Sequence, residues 1–193
     1  MQIDESLLER VRLYALASEK KSRFEHSVRV AQTAERMCGV YGVDPAKGYF
    51  AALAHDMCKD LEDTAQLSMA SRDGEPVTDV ERDKPALLHG RAAAVKLRED
   101  FGVDDSDILE AVARHTFGGE GICALAKIIY AADKIEPGRP NSSPERIASL
   151  LDMSLDGMCL AVAEESLEYL RSRGKKVAPA TLRFLQSLRD SQA

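Results

Sequence analysis

Apolar residues recur at three-to-four spacing almost throughout this chain, the rhythm of helices that bury one face. Leu7, Leu8, Val11, Tyr14, Ala15 and Leu16 mark the first such face. The same rhythm runs from about Ser22 to Tyr41 through His26, Val30, Ala34 and Met37. Asp44-Pro45 reads as a side-chain cap with proline in the first helical position. The helix it opens is predicted to run through Ala51, Ala52, Leu53 and His55 to about Lys59. From Ser71 to Lys84 the chain is polar and broken by Gly74 and Pro76, as a surface connection would be, with a new helix opening at Pro85. Further helices are predicted from about Asp105 to His115, Ile122 to Ile135 and Pro179 to about Arg189, and one long helix from Ser143 to Gly174. Tyr41-Gly42-Val43-Asp44 and Phe101-Gly102-Val103-Asp104 each read as a helix stop and a capped restart. No segment shows strand alternation or an Asn-Gly hairpin, so the predicted fold class is all-α, a single-domain helical bundle.

Composition narrows the class. The 193 residues are enough for one domain with a substantial core, and 45% hydrophobic with 30% charged residues is ordinary for a globular chain. A net charge of -6 argues against nucleic acid as partner, because a phosphate backbone needs a basic face. No apolar run reaches the roughly 20 residues that span a bilayer, so no membrane partner is expected. The acidic start, Met1-Gln2-Ile3-Asp4-Glu5, lacks the layout of a secretory signal, and the expected location is cytoplasmic. Cys38, Cys58, Cys123 and Cys159 form no CxxC pair and are expected as free thiols. The long exposed helices would suit a homodimer.

All four histidines fall in an ordered series: His26, the doublet His55-Asp56, His89, His115, and then Asp133. Imidazole and carboxylate together suit a divalent transition metal, and a site that leaves positions open can activate water. Neighbours on one helix diverge by about 100°, so ligands to one ion must converge from several helices. His55 and Asp56 are the exception, since two adjacent side chains can straddle an ion at a helix face; His26 would come from the helix before and Asp133 from a later one. Asp133 follows the apolar run Ile128-Ile129-Tyr130-Ala131-Ala132, where a carboxylate facing the core asks for a metal or a cation. Phosphate-holding candidates lie beside these residues: Arg23, Lys59, Arg139, and Thr116 with the loop Gly118-Gly119-Glu120-Gly121. The series reads as a metal-dependent phosphohydrolase.

The motifs Arg23-Phe24-Glu25-His26-Ser27, His55-Asp56-Met57-Cys58-Lys59, Leu87-Leu88-His89-Gly90, His115-Thr116-Phe117-Gly118 and Ala131-Ala132-Asp133-Lys134-Ile135-Glu136-Pro137-Gly138-Arg139 resemble the HD-domain superfamily. Within it they are most similar to the YqeK-like branch, the symmetrical bis(5′-nucleosyl)-tetraphosphatases. The resemblance covers about residues 5 to 190, with an HD core at about 22–140 and C-terminal helices at about 143–190. It implies a helical HD fold that binds a divalent metal, iron before manganese or cobalt, as one ion or two. It also implies cleavage of diadenosine tetraphosphate into two ADP by metal-activated water.

Carried over by motif, His26, His55, Asp56 and Asp133 would be the metal ligands. Arg23, His89, His115, Thr116 and Arg139 would face the nucleotide with Asp133, and Asp56, Lys59, His89 and His115 would serve catalysis. His89 and His115 could alternatively complete a second metal site or give a proton to the leaving oxygen. The chain departs from the family at Gly119-Glu120-Gly121 and at Pro140-Asn141-Ser142-Ser143, both expected at the substrate rim. Two alternatives stand beside this reading: another HD phosphohydrolase acting on nucleotides or cyclic nucleotides, and a non-catalytic nucleotide-binding sensor.

Overall fold

The structure, a computed structural model, describes residues 2–192. Those residues form helices α1 (Glu5–Ser18), α2 (Lys21–Tyr41), α3 (Pro45–Ala54), α4 (Asp63–Ala70), α5 (Asp79–Asp83), α6 (His89–Asp100), α7 (Ser106–Arg114), α8 (Ala124–Ile135), α9 (Pro144–Leu151), α10 (Leu155–Ser172) and α11 (Pro179–Asp190). A 3-10 turn, Pro85–Leu88, leads into α6, and no strand occurs among the described residues. The all-α expectation therefore holds.

Helix α8 is the axis of the core. Leu125, Ala126, Ile128, Ile129, Tyr130, Ala131, Ala132 and Ile135 are all buried, and α2, α3, α7 and α10 pack around it. A helix that is apolar on nearly every side needs neighbours all round. Helix α3 lies closest to α2, and Gly48 is the reason. A Cβ there would sit 2.4 Å from Cys38 Sγ and 3.2 Å from the Ala34 carbonyl oxygen. Gly42 and Gly102 take φ of 70° and 71°, the left-handed conformation that ends a helix.

Several predicted boundaries are corrected. Helix α3 stops at Ala54 and does not reach Lys59. Residues 55–61 form successive tight turns, with Met57 N–H donating to Ala54 O (3.2 Å), Lys59 N–H to Asp56 O (2.9 Å) and Leu61 N–H to Cys58 O (3.3 Å). Side chains finish what the helix leaves open. The Ser18 hydroxyl donates to Met57 O (3.0 Å), and the Gln66 amide donates to Leu61 O (2.9 Å) from α4, a helix the periodicity did not announce. The long helix predicted from Ser143 to Gly174 is two, α9 and α10. The chain turns at residues 152–154, and the Ser154 hydroxyl caps the Gly157 N–H (3.1 Å).

The stretch read as a plain surface connection contains α5 and is fastened from below. Glu81 closes a capping box with Thr78 and is 3% exposed. Arg91 on α6, itself 6% exposed, forks onto Asp73 (2.6 and 2.8 Å), meets Glu81 (3.2 Å) and donates to the carbonyls of Glu75 and Pro76. A bidentate guanidinium–carboxylate pair with its remaining donors satisfied is a strong tie. It fixes residues 73–81 against the first turns of α6, where His89 sits.

Candidate active site

Five helix ends and one turn bring the candidate residues together. His26 comes from the first turns of α2, His55 from the end of α3, Asp56 from the turn after it, His89 from the start of α6, His115 from the end of α7, and Asp133 from the last turn of α8. Two overlapping triplets have donor atoms within 4.8 Å of one another: His26, His55 and Asp56, and Asp56, His89 and His115. Asp56 belongs to both. Asp133 Oδ1 joins the first, 3.0 Å from His26 Nε2 and 3.8 Å from His55 Nε2.

The rings are oriented from behind. His55 Nδ1 bonds Ala52 O (2.5 Å), His89 Nδ1 bonds Ala86 O (2.7 Å) and His115 Nδ1 bonds Val112 O (2.8 Å). A carbonyl oxygen only accepts, so each Nδ1 carries a hydrogen and turns Nε2 toward the site, where it is bare whenever Nδ1 holds the ring's single proton. His26 differs, because its Nδ1 faces the carboxylate of Glu136 at 3.0 Å.

These bare nitrogens test the fit to a metal. His55 Nε2 is buried and has no hydrogen-bond partner among the described residues. His89 Nε2 and His115 Nε2 stand 2.9 Å apart, and they lie 3.1 and 3.6 Å from Asp56 Oδ1. Two lone pairs cannot face each other at that distance unless a proton or a cation separates them. Imidazole nitrogens and carboxylate oxygens converging without enough hydrogens between them form a donor set that fits a divalent transition metal.

Electrostatics agree. Burial by itself would raise the Asp56 carboxyl, but His55, His115 and His89 outweigh it and hold the group well below the usual carboxylate range. Lys59 Nζ at 3.1 Å and Arg23 Nη1 at 3.2 Å add cations beside it. Asp133 is likewise lowered against its burial by Lys134, His26, His55 and Arg139. Burial pushes His115 down to about 3, so at neutral pH its ring is uncharged and suited to donating a lone pair rather than a proton. His26 moves the other way. Its burial is outweighed by Asp133 and Glu136, which raise it.

On the open side lie the cations. Arg23 is 26% exposed, Lys59 35% and Arg139 42% at their side chains, whereas His55, His89 and His115 are walled in. Arg139 donates to Asp133 Oδ1 (2.6 Å) and to the Asp133 carbonyl (2.8 Å). Thr116 Oγ1 lies 3.3 Å from His115 Nε2 and 3.5 Å from His89 Nε2. In the loop after it, Gly118, at φ 69°, packs on Phe184 of α11.

Sequence reasoning missed four supporting residues. Asp60 takes both Nε (2.8 Å) and Nη2 (3.3 Å) of Arg23, which aims the third nitrogen at Asp56. Lys134 donates to His115 O (3.1 Å) and Tyr130 O (3.2 Å), tying the end of α7 to α8. Arg29 and Glu136 back His26. Helical spacing held the signal for three of them: Arg29 is three after His26, Asp60 four after Asp56, and Glu136 three after Asp133.

Comparison with known proteins places the geometry in context. The family model described as HD domain matches residues 23–138. The symmetrical bis(5′-nucleosyl)-tetraphosphatase of Halalkalibacterium halodurans is 30% identical over 160 residues, covering 83% of this chain and 85% of that protein. Its namesake in Staphylococcus aureus is 31% identical over 159 residues, covering 80% and 81%. A crystal structure from Clostridium acetobutylicum, described as a predicted HD superfamily hydrolase involved in NAD metabolism, superposes with a TM-score of 0.87 at 28% identity, over 95% of this chain and 97% of that one.

Proposed function

Because the chain belongs to the HD-domain family, we propose that it is a metal-dependent hydrolase that cleaves diadenosine tetraphosphate symmetrically into two ADP. The observation that carries the chemistry is the unpartnered, buried Nε2 of His55, aimed between Asp56 and Asp133, on a ring flanked by those of His26 and His115. The substrate follows from relatives of that activity that align over more than four-fifths of this chain in one case and four-fifths in another.

His26, His55, Asp56 and Asp133 would hold the ion, with His89 and His115 completing a second position through Asp56. Iron is the metal we favour, with manganese or cobalt as substitutes, since a mixed imidazole–carboxylate set suits all three. Such an ion supplies Lewis acidity to a phosphate oxygen and acidifies water. The chain's own residues do the rest. Lys59 and Arg139 neutralise Asp56 and Asp133 in this structure. Once those carboxylates are engaged as ligands, both half-exposed cations can turn to phosphate oxygens. Arg23, held by Asp60, offers a fixed positive edge beside them, and the charge developing on a polyphosphate is stabilised by cations aimed in advance. The leaving ADP is a stable anion at neutral pH and does not need a strong acid, which agrees with an uncharged His115. Arg23, Thr116 and Arg139 would line the nucleotide side. Among the described residues no helix is long and apolar enough to cross a membrane. We take the enzyme to be cytoplasmic, active as a single chain or a homodimer.

The test is anaerobic incubation of the purified protein with diadenosine tetraphosphate and ferrous iron or manganese, with products resolved by chromatography. ADP as sole product supports the proposal. ATP with AMP would refute symmetrical cleavage, and absence of turnover with metal bound would refute this substrate.

A further inference from the structure

His26 is the one histidine of the four whose Nδ1 meets a charged group. Its partner, Glu136, is 1% exposed and accepts at Oε1 (3.0 Å), while the other carboxylate oxygen takes Arg29 Nε (2.7 Å) and the Gly138 N–H. Arg29 Nη2 reaches back to Oε1 at 3.3 Å, completing a fork. Gly138 is part of the clamp. A Cβ at that position would stand 2.6 Å from Arg29 Nε, so the turn after α8 closes directly over the guanidinium, and a side chain there would push the arginine aside. The other three rings have only the neutral carbonyls of Ala52, Ala86 and Val112 behind them.

A carboxylate behind an imidazole fixes its orientation and raises its basicity as a ligand more than a carbonyl does, because it is anionic. The two triplets are therefore unequal. The one containing His26 has Asp56, Asp133 and, one bond further out, Glu136; the one containing His89 and His115 has only the shared Asp56.

We propose that Glu136, clamped by Arg29, is a positioning residue that makes His26 the strongest donor of the four, so that an ion at the His26–His55 end binds first and more tightly than one at the His89–His115 end. This rests on the metallohydrolase reading above. It predicts stepwise loading, with the first step governed by Glu136 and the second indifferent to it.

Equilibrium dialysis of the metal-free protein against Mn2+ reads both steps without any turnover. Glu136→Gln keeps the volume but turns an amide toward Arg29, setting donor against donor. The expected result is a first step weakened about 10- to 100-fold with the second unchanged. Arg29→Met leaves the carboxylate in place but unclamped, should fold independently of Glu136, and should weaken the same step by less. A cobalt-loaded sample supplies a second readout, since loss of the anionic partner should shift the visible bands of the first ion and not those of the second. Equal weakening of both steps, or an unaltered first step in both variants, would overturn the positioning role. A wild-type protein that binds no Mn2+, Fe2+ or Co2+ would overturn the metallohydrolase reading itself, and that failure is distinct because it precedes any variant.

Discussion

Gly90→Ala is the substitution that presses hardest on the site while removing nothing from it. Gly90 is the second residue of α6, next to His89, where α6 crosses the end of α7. A Cβ there would lie 2.8 Å from Val112 O, 2.9 Å from His115 Cε1 and 3.0 Å from His115 Nδ1. Two of these atoms form the hydrogen bond that orients the His115 ring, Nδ1 to Val112 O at 2.8 Å, and the third is the ring carbon beside Nδ1. Replacing glycine with alanine in a helix favours the helix by up to about 1 kcal/mol, whereas overpacking a close contact costs about 1–3 kcal/mol. The expected net effect is a loss of roughly 0–2 kcal/mol. Ligand geometry is less forgiving, because ligand distances are held to about 0.2 Å, and the helices must part by a few tenths of an ångström to admit the methyl group. The variant should therefore lose metal at the His89–His115 end well before it loses its fold. Gly39→Ala is the control, since Gly39 lies in α2 with nothing within 4 Å of an added Cβ, and it should gain about 0.5–1 kcal/mol. Urea melts followed by circular dichroism, run beside metal dialysis, separate the two quantities. If Gly90→Ala gained stability as Gly39→Ala does, and loaded metal like the parent, the close approach of α6 to α7 would have no bearing on the site.

Three further outcomes are expected. Asp56→Ala removes the oxygen shared by both triplets and should abolish metal binding and turnover together; an active, metal-free variant contradicts the site. Arg91→Met leaves Asp73 and Glu81 without their shared cation and should cost about 3–5 kcal/mol, so a change below about 1 kcal/mol in urea melts would mean that the clamp is ornamental. Burial raises the Glu19 carboxyl to about 7, against the pull of the Ser27 hydroxyl. A carboxyl raised in the fold keeps its proton while the unfolded chain loses it, so its stabilisation is complete below about 4.5 and disappears as pH rises to 7. At 1.36 kcal/mol per unit, Glu19→Gln should gain on the parent by up to about 3 kcal/mol between pH 5 and 8. A difference between the two proteins that does not change with pH refutes this.

What could be read from the sequence, and what could not, divides along physical lines. The helical class followed from a rhythm that every buried face repeats, and the stops at Gly42 and Gly102 from the one residue at ease at positive φ. The end of α3 was misplaced because His55 to Lys59 continues the apolar rhythm while the backbone has already changed to tighter turns. Those turns are held by Ser18 and Gln66, which lie 39 and 5 residues from their carbonyl partners. Long-range side-chain bonds leave no periodic trace. The same holds for Arg91, whose character on the page is that of any helical arginine. The residues proposed to touch metal or phosphate were visible because their chemistry is rare in a core; Glu136, Asp60 and Lys134, which aim them, carry charges that elsewhere would simply be solvated.

His55 and His115 sit where α3 and α7 run out of hydrogen-bond partners, and the Nδ1–H that turns each Nε2 toward the site also bonds a carbonyl of the final helical turn, Ala52 O or Val112 O. Capping and the proposed ligation are thus two ends of a single ring. A lineage that ceased to need the metal could not shed these histidines silently, because each loss would also fray a helix packed against the core. Drift at this site is coupled to folding, and disused copies should retain the imidazoles longer than the exposed arginines around them.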